Sequence, residues 1–160
     1  MTSLKVNDKA PEFKAQDHEG NTISSKDFDG KKYAVYFYPK DNTPACTVQA
    51  CNLRDNYAAL AEKKISIIGV SMDTEKMHQK FVAKHELPFP LIPDTDKKLI
   101  EAFNVWGLKK FMGREFLGVI RSTFLIDPAG RIAHIWRSVH VKGHVIEVLK
   151  KLRELQGKPF

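Results

Sequence analysis

Residues 33–38 read YAVYFY, an unbroken apolar and aromatic run with no alternation. That pattern predicts a strand buried on both faces. ISIIGVSMD at 65–73 and STFLID at 122–127 repeat it and predict two more buried strands. Upstream, FKAQDHEGNTISS at 13–25 reads as a hairpin turning at His18-Glu19-Gly20-Asn21. Between the strands the period changes. Over 44–62 the positions Val48, Cys51, Leu53, Tyr57 and Leu60 recur at helical spacings. Residues 74–86 predict an amphipathic helix that Thr74 can cap, and 95–105 predict a further helix. Pro88 and Pro90 interrupt the pattern between these two.

After the third strand, Asp127-Pro128 and Gly130 supply turn chemistry leading into IAHIWRSV. The chain closes on a helix over 145–156, with Gly157 as its stop. Strands alternating with helices, then a hairpin and a last helix, indicate an α/β fold. Its central mixed sheet would be flanked by helices, preceded by an N-terminal hairpin, in a thioredoxin-like arrangement. In such sheets chemistry gathers at the carboxyl ends of the parallel strands. The segment 41–51, DNTPACTVQAC, follows YAVYFYP and falls at that place.

Composition narrows the classes. The 160 residues are 42% hydrophobic and 28% charged, an ordinary globular balance with room for a substantial core. No apolar run has the length of a membrane span, and MTSLKVNDKAPEF carries no apolar signal region. A cytoplasmic protein with no membrane association is the expectation. Net charge is +7, but the basic residues are scattered pairs such as Lys31-Lys32 and Lys109-Lys110, not an Arg-rich stripe interleaved with aromatics. They read as a solvated surface, and no nucleic-acid partner is expected.

The two cysteines, Cys46 and Cys51, both lie within 41–51. Thr43 in the N-cap position and Pro44 at the first helical position would make Cys46 the third helical residue. Free backbone N–H groups and the helix dipole there favour a thiolate, so Cys46 is the reactive candidate. Cys51 lies on the apolar side of the same helix, where an inert buried thiol is an equally good reading. On an intact helix the two side chains point roughly 140° apart, with Cα atoms about 8.6 Å apart. A disulfide requires Cα atoms within about 7 Å, so the helix must open before the pair can bridge. The same geometry argues against chelation of a metal. His140 and His144 have helical spacing, but Gly143 between them indicates a loop or a helix start. No cofactor is called for.

Pro39, Thr43 and Cys46 together form P-x-x-x-T-x-x-C, which resembles the active-site motif of the peroxiredoxins. The string FYPKDNTPACTVQACNLRD resembles their peroxiredoxin Q, or bacterioferritin comigratory protein, branch. The likeness extends through KAPEFKAQDHEGNTISSKDFDGKKYAVYFYP, LPFPLIPDTDKKLIEAFNVWG and FMGREFLGVIRSTFLID. It implies one thioredoxin-like peroxiredoxin domain over 1–160. It implies a peroxidatic Cys46 that attacks a hydroperoxide and becomes a sulfenic acid. Thr43 would hydrogen-bond thiolate and peroxide, Pro39 would shield the site, and Arg121 would stabilise thiolate and leaving oxygen. Cys51 would be the resolving cysteine, forming an intramolecular disulfide that thioredoxin or a similar dithiol reductant reopens. A monomer is expected, because an intramolecular resolving thiol removes the chemical need for a dimer, while a weak dimer is compatible.

Two other classes compete. A dithiol–disulfide oxidoreductase would want a C-x-x-C pair, which is absent. A redox-switched binding or holdase protein would show oxidation-dependent binding and negligible turnover. Trp106, Phe111, Met112 and Phe116 fit core, an apolar collar for organic peroxides or a dimer patch, with core or collar favoured for Phe111 and Phe116. Arg54 reads as a solvated helix residue or ion-pair partner before a contributor to the field at Cys46.

The chain departs from the resembled branch at Ala45, where many members carry Gly before the cysteine. Alanine favours helix over glycine by about 1 kcal/mol. The first turn should therefore open more slowly here. Stopped-flow measurement of sulfenate resolution should give a faster rate for Ala45→Gly than for the unaltered chain, and equal rates would remove the idea.

Overall fold

A computed structural model describes residues 2–155 of the chain. Five strands form the central sheet: β3 (Lys32–Phe37), β4 (Ile65–Ser71), β5 (Leu91–Pro93), β8 (Ser122–Ile126) and β9 (Ile132–Trp136). Their order is β5-β4-β3-β8-β9. β3, β4 and β5 are parallel, whereas β8 runs antiparallel to both β3 and β9. The expected mixed α/β sheet is present, and so is the N-terminal hairpin, β1 (Lys14–Gln16) with β2 (Thr22–Ser24). Its turn closes on Asp17, whose Oδ1 accepts from Glu19 N and Asn21 N, and Gly20 takes the left-handed φ of +82°. The hairpin is clipped to the sheet edge where Leu91 N donates to His18 Nδ1.

The unbroken apolar runs are explained by two buried clusters, one on each face. Tyr33, Val35 and Phe37 of β3 join one cluster, and Ala34 and Tyr36 join the other, followed by Tyr38. The first cluster holds α4 (Lys98–Ala102) and the N-terminal segment. The second holds α1 (Pro44–Asp55), α2 (Tyr57–Glu62), α3 (Glu75–His85) and α5 (His144–Leu155). α3 is capped as expected, with Met77 N donating to Thr74 Oγ1. None of the helices is long and apolar enough to cross a membrane among the described residues.

Several elements differ from the sequence expectation. The helix read over 44–62 is two helices, broken at Asn56, whose backbone leaves the helical region (φ −105°, ψ 12°) while its side chain and its N–H both donate to Asn52 O. The helix read over 95–105 shrinks to α4. Asp94 receives Leu99 N and Ile100 N, and Lys97 takes a left-handed φ of +61°, so the chain cannot start helically earlier. β5 forms where the prolines suggested only interruption. It lies at the sheet edge, where Pro93 costs no ladder bond.

A further hairpin, β6 (Trp106–Phe111) with β7 (Arg114–Val119), stands as its own two-stranded sheet and turns on Met112 and Gly113, both at positive φ. It corrects the core reading of Phe111 and Phe116, which are exposed on it, as is Met112. Trp106 is half-buried against the first cluster, with Lys97 Nζ 4.3 Å above its ring. The turn after β8 is as expected, with Asp127 Oδ1 accepting from Ala129 N and Arg131 N. α5 begins at His144, and the proposed stop at Gly157 lies outside the described residues.

Gly69 of β4 is required by close packing. A Cβ there would lie 2.6 Å from Leu91 Cδ2 and 2.9 Å from Tyr36 Cε1, both fully packed side chains. Gly69→Ala should lower stability by about 1–3 kcal/mol in urea denaturation.

His144 supplies a pH-dependent term. It is buried at the start of α5 with Nε2 3.0 Å from Thr123 Oγ1. Burial first, and the Arg121 cation second, push its pKa down from 6.5 to about 4. The unfolded chain therefore takes up this proton at a higher pH than the folded one. The stabilising term is complete above about pH 6.5 and is lost as pH falls toward 4. Between pH 7 and pH 4.5 the loss from this group should be about 2–3 kcal/mol. Urea midpoints of His144→Gln should show a correspondingly smaller drop over that range than the unaltered chain.

Candidate active site

β3 ends at Phe37, and the chain crosses a short loop into α1. Tyr38 is buried, Pro39 is half-buried, and Asn42 takes a left-handed φ of +61°, which Asn tolerates better than most residues. Thr43 occupies the N-cap position with extended backbone, and Pro44 sits at N1, so Cys46 is the third helical residue as expected. The capping chemistry differs from expectation. The Thr43 hydroxyl makes no cap bond and donates instead to Lys40 O at 2.9 Å, closing the loop on itself.

A buried network holds this loop down. Tyr38 Oη donates to Asp41 Oδ1 at 2.6 Å, and Asp41 Oδ2 lies 2.6 Å from His78 Nδ1 on α3. Asp41 N and the Ser71 hydroxyl both donate to Asp73 Oδ2, and His78 Nε2 lies 3.2 Å from Ile92 O. Asp41, Asp73 and His78 offer ligand atoms within 4.8 Å of one another, the spacing of a metal cluster. Both His78 nitrogens are taken by Asp41 and Ile92 O, so the cluster spends its polar atoms on itself. Its effect is to tie the loop to β4, β5 and α3. Desolvation by burial first, then the neighbouring Tyr36 and Asp41, holds the Tyr38 phenol far above its ordinary range, so it stays a donor to Asp41.

Cys46 is 2% exposed and carries a free thiol. Arg121 Nη2 donates to its Sγ at 3.2 Å, and Arg121 Nη1 donates to Gln49 Oε1 at 2.6 Å. The sheet register explains this meeting. Ser122 of β8 pairs with Phe37 of β3, so Arg121, just before β8, arrives at the end of β3 where α1 starts. Val139 N donates to Arg121 O and fixes the backbone. Gln49, one helical turn beyond Cys46, orients the guanidinium. Sequence reading passed over it. The available signal was a lone polar residue on the face that also carries Cys46, Ala50 and Leu53, all buried.

Cys51 is a half-buried free thiol on the same helix, with Sγ 3.7 Å from His85 Nδ1. No bond joins the two cysteines while α1 is intact, in line with the spacing argument. The structure thus brings Cys46 and Arg121 into contact, places Thr43 and Pro39 on the loop beside them, and leaves Cys51 facing α3. Arg54 pairs with Asp55 and donates to His85 O, which matches the ion-pair reading. His140 and His144 do not converge, because His144 is buried against Thr123 while His140 is exposed before the helix.

The AhpC/TSA family profile matches residues 6–135. Peroxiredoxin Bcp of Bacillus subtilis is 47% identical over 156 residues, 98% of this chain and 99% of that protein. Peroxiredoxin Bcp of Escherichia coli K12 is 42% identical over 154 residues, 96% and 99% of the two chains. A solved structure of Xanthomonas campestris bacterioferritin comigratory protein, described for its alkyl peroxide reduction, superposes with a TM-score of 0.85. It is 33% identical and covers 96% of this chain and 98% of that one. The thioredoxin-like fold, the full-length identity and the arginine on a helix-terminal cysteine therefore agree: the chain belongs to the AhpC/TSA family, in its bacterioferritin comigratory protein or peroxiredoxin Q branch, and is a thiol peroxidase.

Proposed function

We propose that the chain reduces hydrogen peroxide and organic hydroperoxides through an atypical two-cysteine cycle. The observation that carries this reading is the 3.2 Å hydrogen bond from Arg121 Nη2 to Cys46 Sγ at the first turn of α1. A cation and a helix N-terminus meet there on one sulfur, the setting of a nucleophilic cysteine. The thiolate attacks the terminal oxygen of the hydroperoxide. An S–O bond forms, the O–O bond breaks, and water or an alcohol leaves after taking a proton. Arg121 meets the charge that grows on the leaving oxygen. Thr43 hydrogen-bonds the peroxide. Its hydroxyl proton is held by Lys40 O, which leaves its oxygen to accept. Pro39 covers the loop side of the site.

The product is a Cys46 sulfenic acid. Cys51 then attacks that sulfur, an S–S bond forms, and water leaves. Because Cys46 is buried on an intact helix, this step requires the first turn of α1 to unwind. A dithiol reductant such as thioredoxin reopens the disulfide. Such a cycle belongs in the cytoplasm, where dithiol reductants keep thiols reduced. An intramolecular resolving thiol lets a monomer complete it.

Single-turnover reaction with hydrogen peroxide and with an alkyl hydroperoxide tests the assignment. Cys46→Ser should not react. Cys51→Ser should consume one equivalent and stop at the sulfenic acid. The unaltered chain should give the Cys46–Cys51 disulfide and turn over with thioredoxin and its reductase. Rapid peroxide consumption by Cys46→Ser would refute the reading.

A further inference from the structure

We infer that His85 is the general base that activates Cys51 for resolution, an inference that rests on Cys51 being the resolving cysteine. The sulfur lies 3.7 Å from His85 Nδ1, within reach of an S–H···N hydrogen bond. The residue is held for this contact at its ring and at its backbone. Phe81 packs against it edge-on, with centroids 5.1 Å apart and planes at 75°. Arg54 Nη1 donates to the His85 carbonyl at 2.8 Å, tying the end of α3 to the α1 turn that carries Cys51. Both partners are half-buried, so the pair is shielded yet open to proton exchange.

Charged groups of both signs lie around the pair. From α1, Arg54 and Asp55 face it as an ion pair, and on its own element Lys84 and Glu86 flank His85 with opposite signs. The imidazole is in hydrogen-bond contact with the sulfur, and imidazole is the side chain most often used as a general base.

The step balances. Cys51 gives its thiol proton to His85 Nδ1 and becomes a thiolate, the nucleophilic form. After the first turn of α1 unwinds, the thiolate attacks Sγ of the Cys46 sulfenic acid. The S–S bond forms and the S–O bond breaks. The sulfenic sulfur is reduced and Cys51 is oxidised. The departing hydroxide takes up the imidazolium proton and leaves as water, which resets His85. The Arg54 and His85 ties keep Cys51 against α3, so Cys46 is the partner that travels.

The test is the pH dependence of disulfide formation from sulfenic acid generated by one equivalent of hydrogen peroxide, followed by stopped flow. His85→Asn keeps a polar group of similar reach but takes up no proton. His85 is the last residue of α3 and lies outside both buried clusters. At pH 6.5–7 the variant should form the disulfide about 100-fold more slowly, at the low end of general-base effects. Above about pH 9, where free thiols ionise unaided, the two rates should converge. An unchanged profile in His85→Asn, or an equal slowing at every pH, would overturn the role of His85. If peptide mapping finds no Cys46–Cys51 disulfide in the unaltered chain, the resolving assignment of Cys51 fails and takes this inference with it.

Discussion

One charged hydrogen bond organises the site: Arg121 Nη2 to Cys46 Sγ. The partners lie 75 residues apart in the chain, and the sheet brings them together. β8 must run antiparallel to β3, in the register that sets Ser122 against Phe37, for Arg121 to reach the start of α1. A one-residue slip would turn Ser122, Phe124 and Ile126 to the opposite face. The register is held because Phe124 and Ile126 fill one cluster and Leu125 the other. Packing on both faces of the sheet thus fixes the geometry of a single sulfur.

That sulfur meets opposing demands. In the proposed cycle it must be buried beside a cation to react with peroxide and then exposed to reach Cys51. The fold divides these demands along the chain. Asp41, Asp73 and His78 anchor the loop before α1, where movement would displace Thr43 and Pro39. Ala50 and Leu53 anchor the second half of α1 in the core. Between these anchors, the backbone of the first turn has few bonds to lose. Pro44 contributes no N–H, the Thr43 side chain makes no cap bond, and Thr47 N to Thr43 O is the first backbone bond of the turn. Each such bond contributes only about 1 kcal/mol net, because water replaces it.

Much of this was legible in the sequence. YAVYFY announced a strand buried on both faces because β3 is central, and the cap-and-proline pattern placed Cys46 at the third helical position. Peptide geometry alone separated the two cysteines. What stayed hidden depended on partners distant in sequence. Gln49 looks like a surface residue until Arg121 arrives beside it. Asp41 and His78 are unremarkable until α3 is laid against the loop. The β6–β7 hairpin escaped because it stands apart from both clusters over most of its length, so its strands carry exposed apolar residues without the alternation that a half-buried strand displays.

Oxidation itself supplies the trigger for opening in the proposed cycle. Arg121 holds Cys46 most firmly when the sulfur is an anion, since the guanidinium then faces an opposite charge and not a neutral acceptor. Attack on peroxide converts that anion into a neutral, bulkier sulfenic acid in a site where the thiol is already only 2% exposed. The attraction weakens and the packing tightens in the same event, and both changes favour an unwound first turn. Gln49 keeps the guanidinium paired through Nη1 when the sulfur leaves, so the cation is not stranded. In the proposed cycle, reduction would restore the sulfur that Arg121 holds, and the same arginine would draw the turn closed. The proposed cycle then needs no separate switch element: the charge on one sulfur would set the state of the helix that carries it.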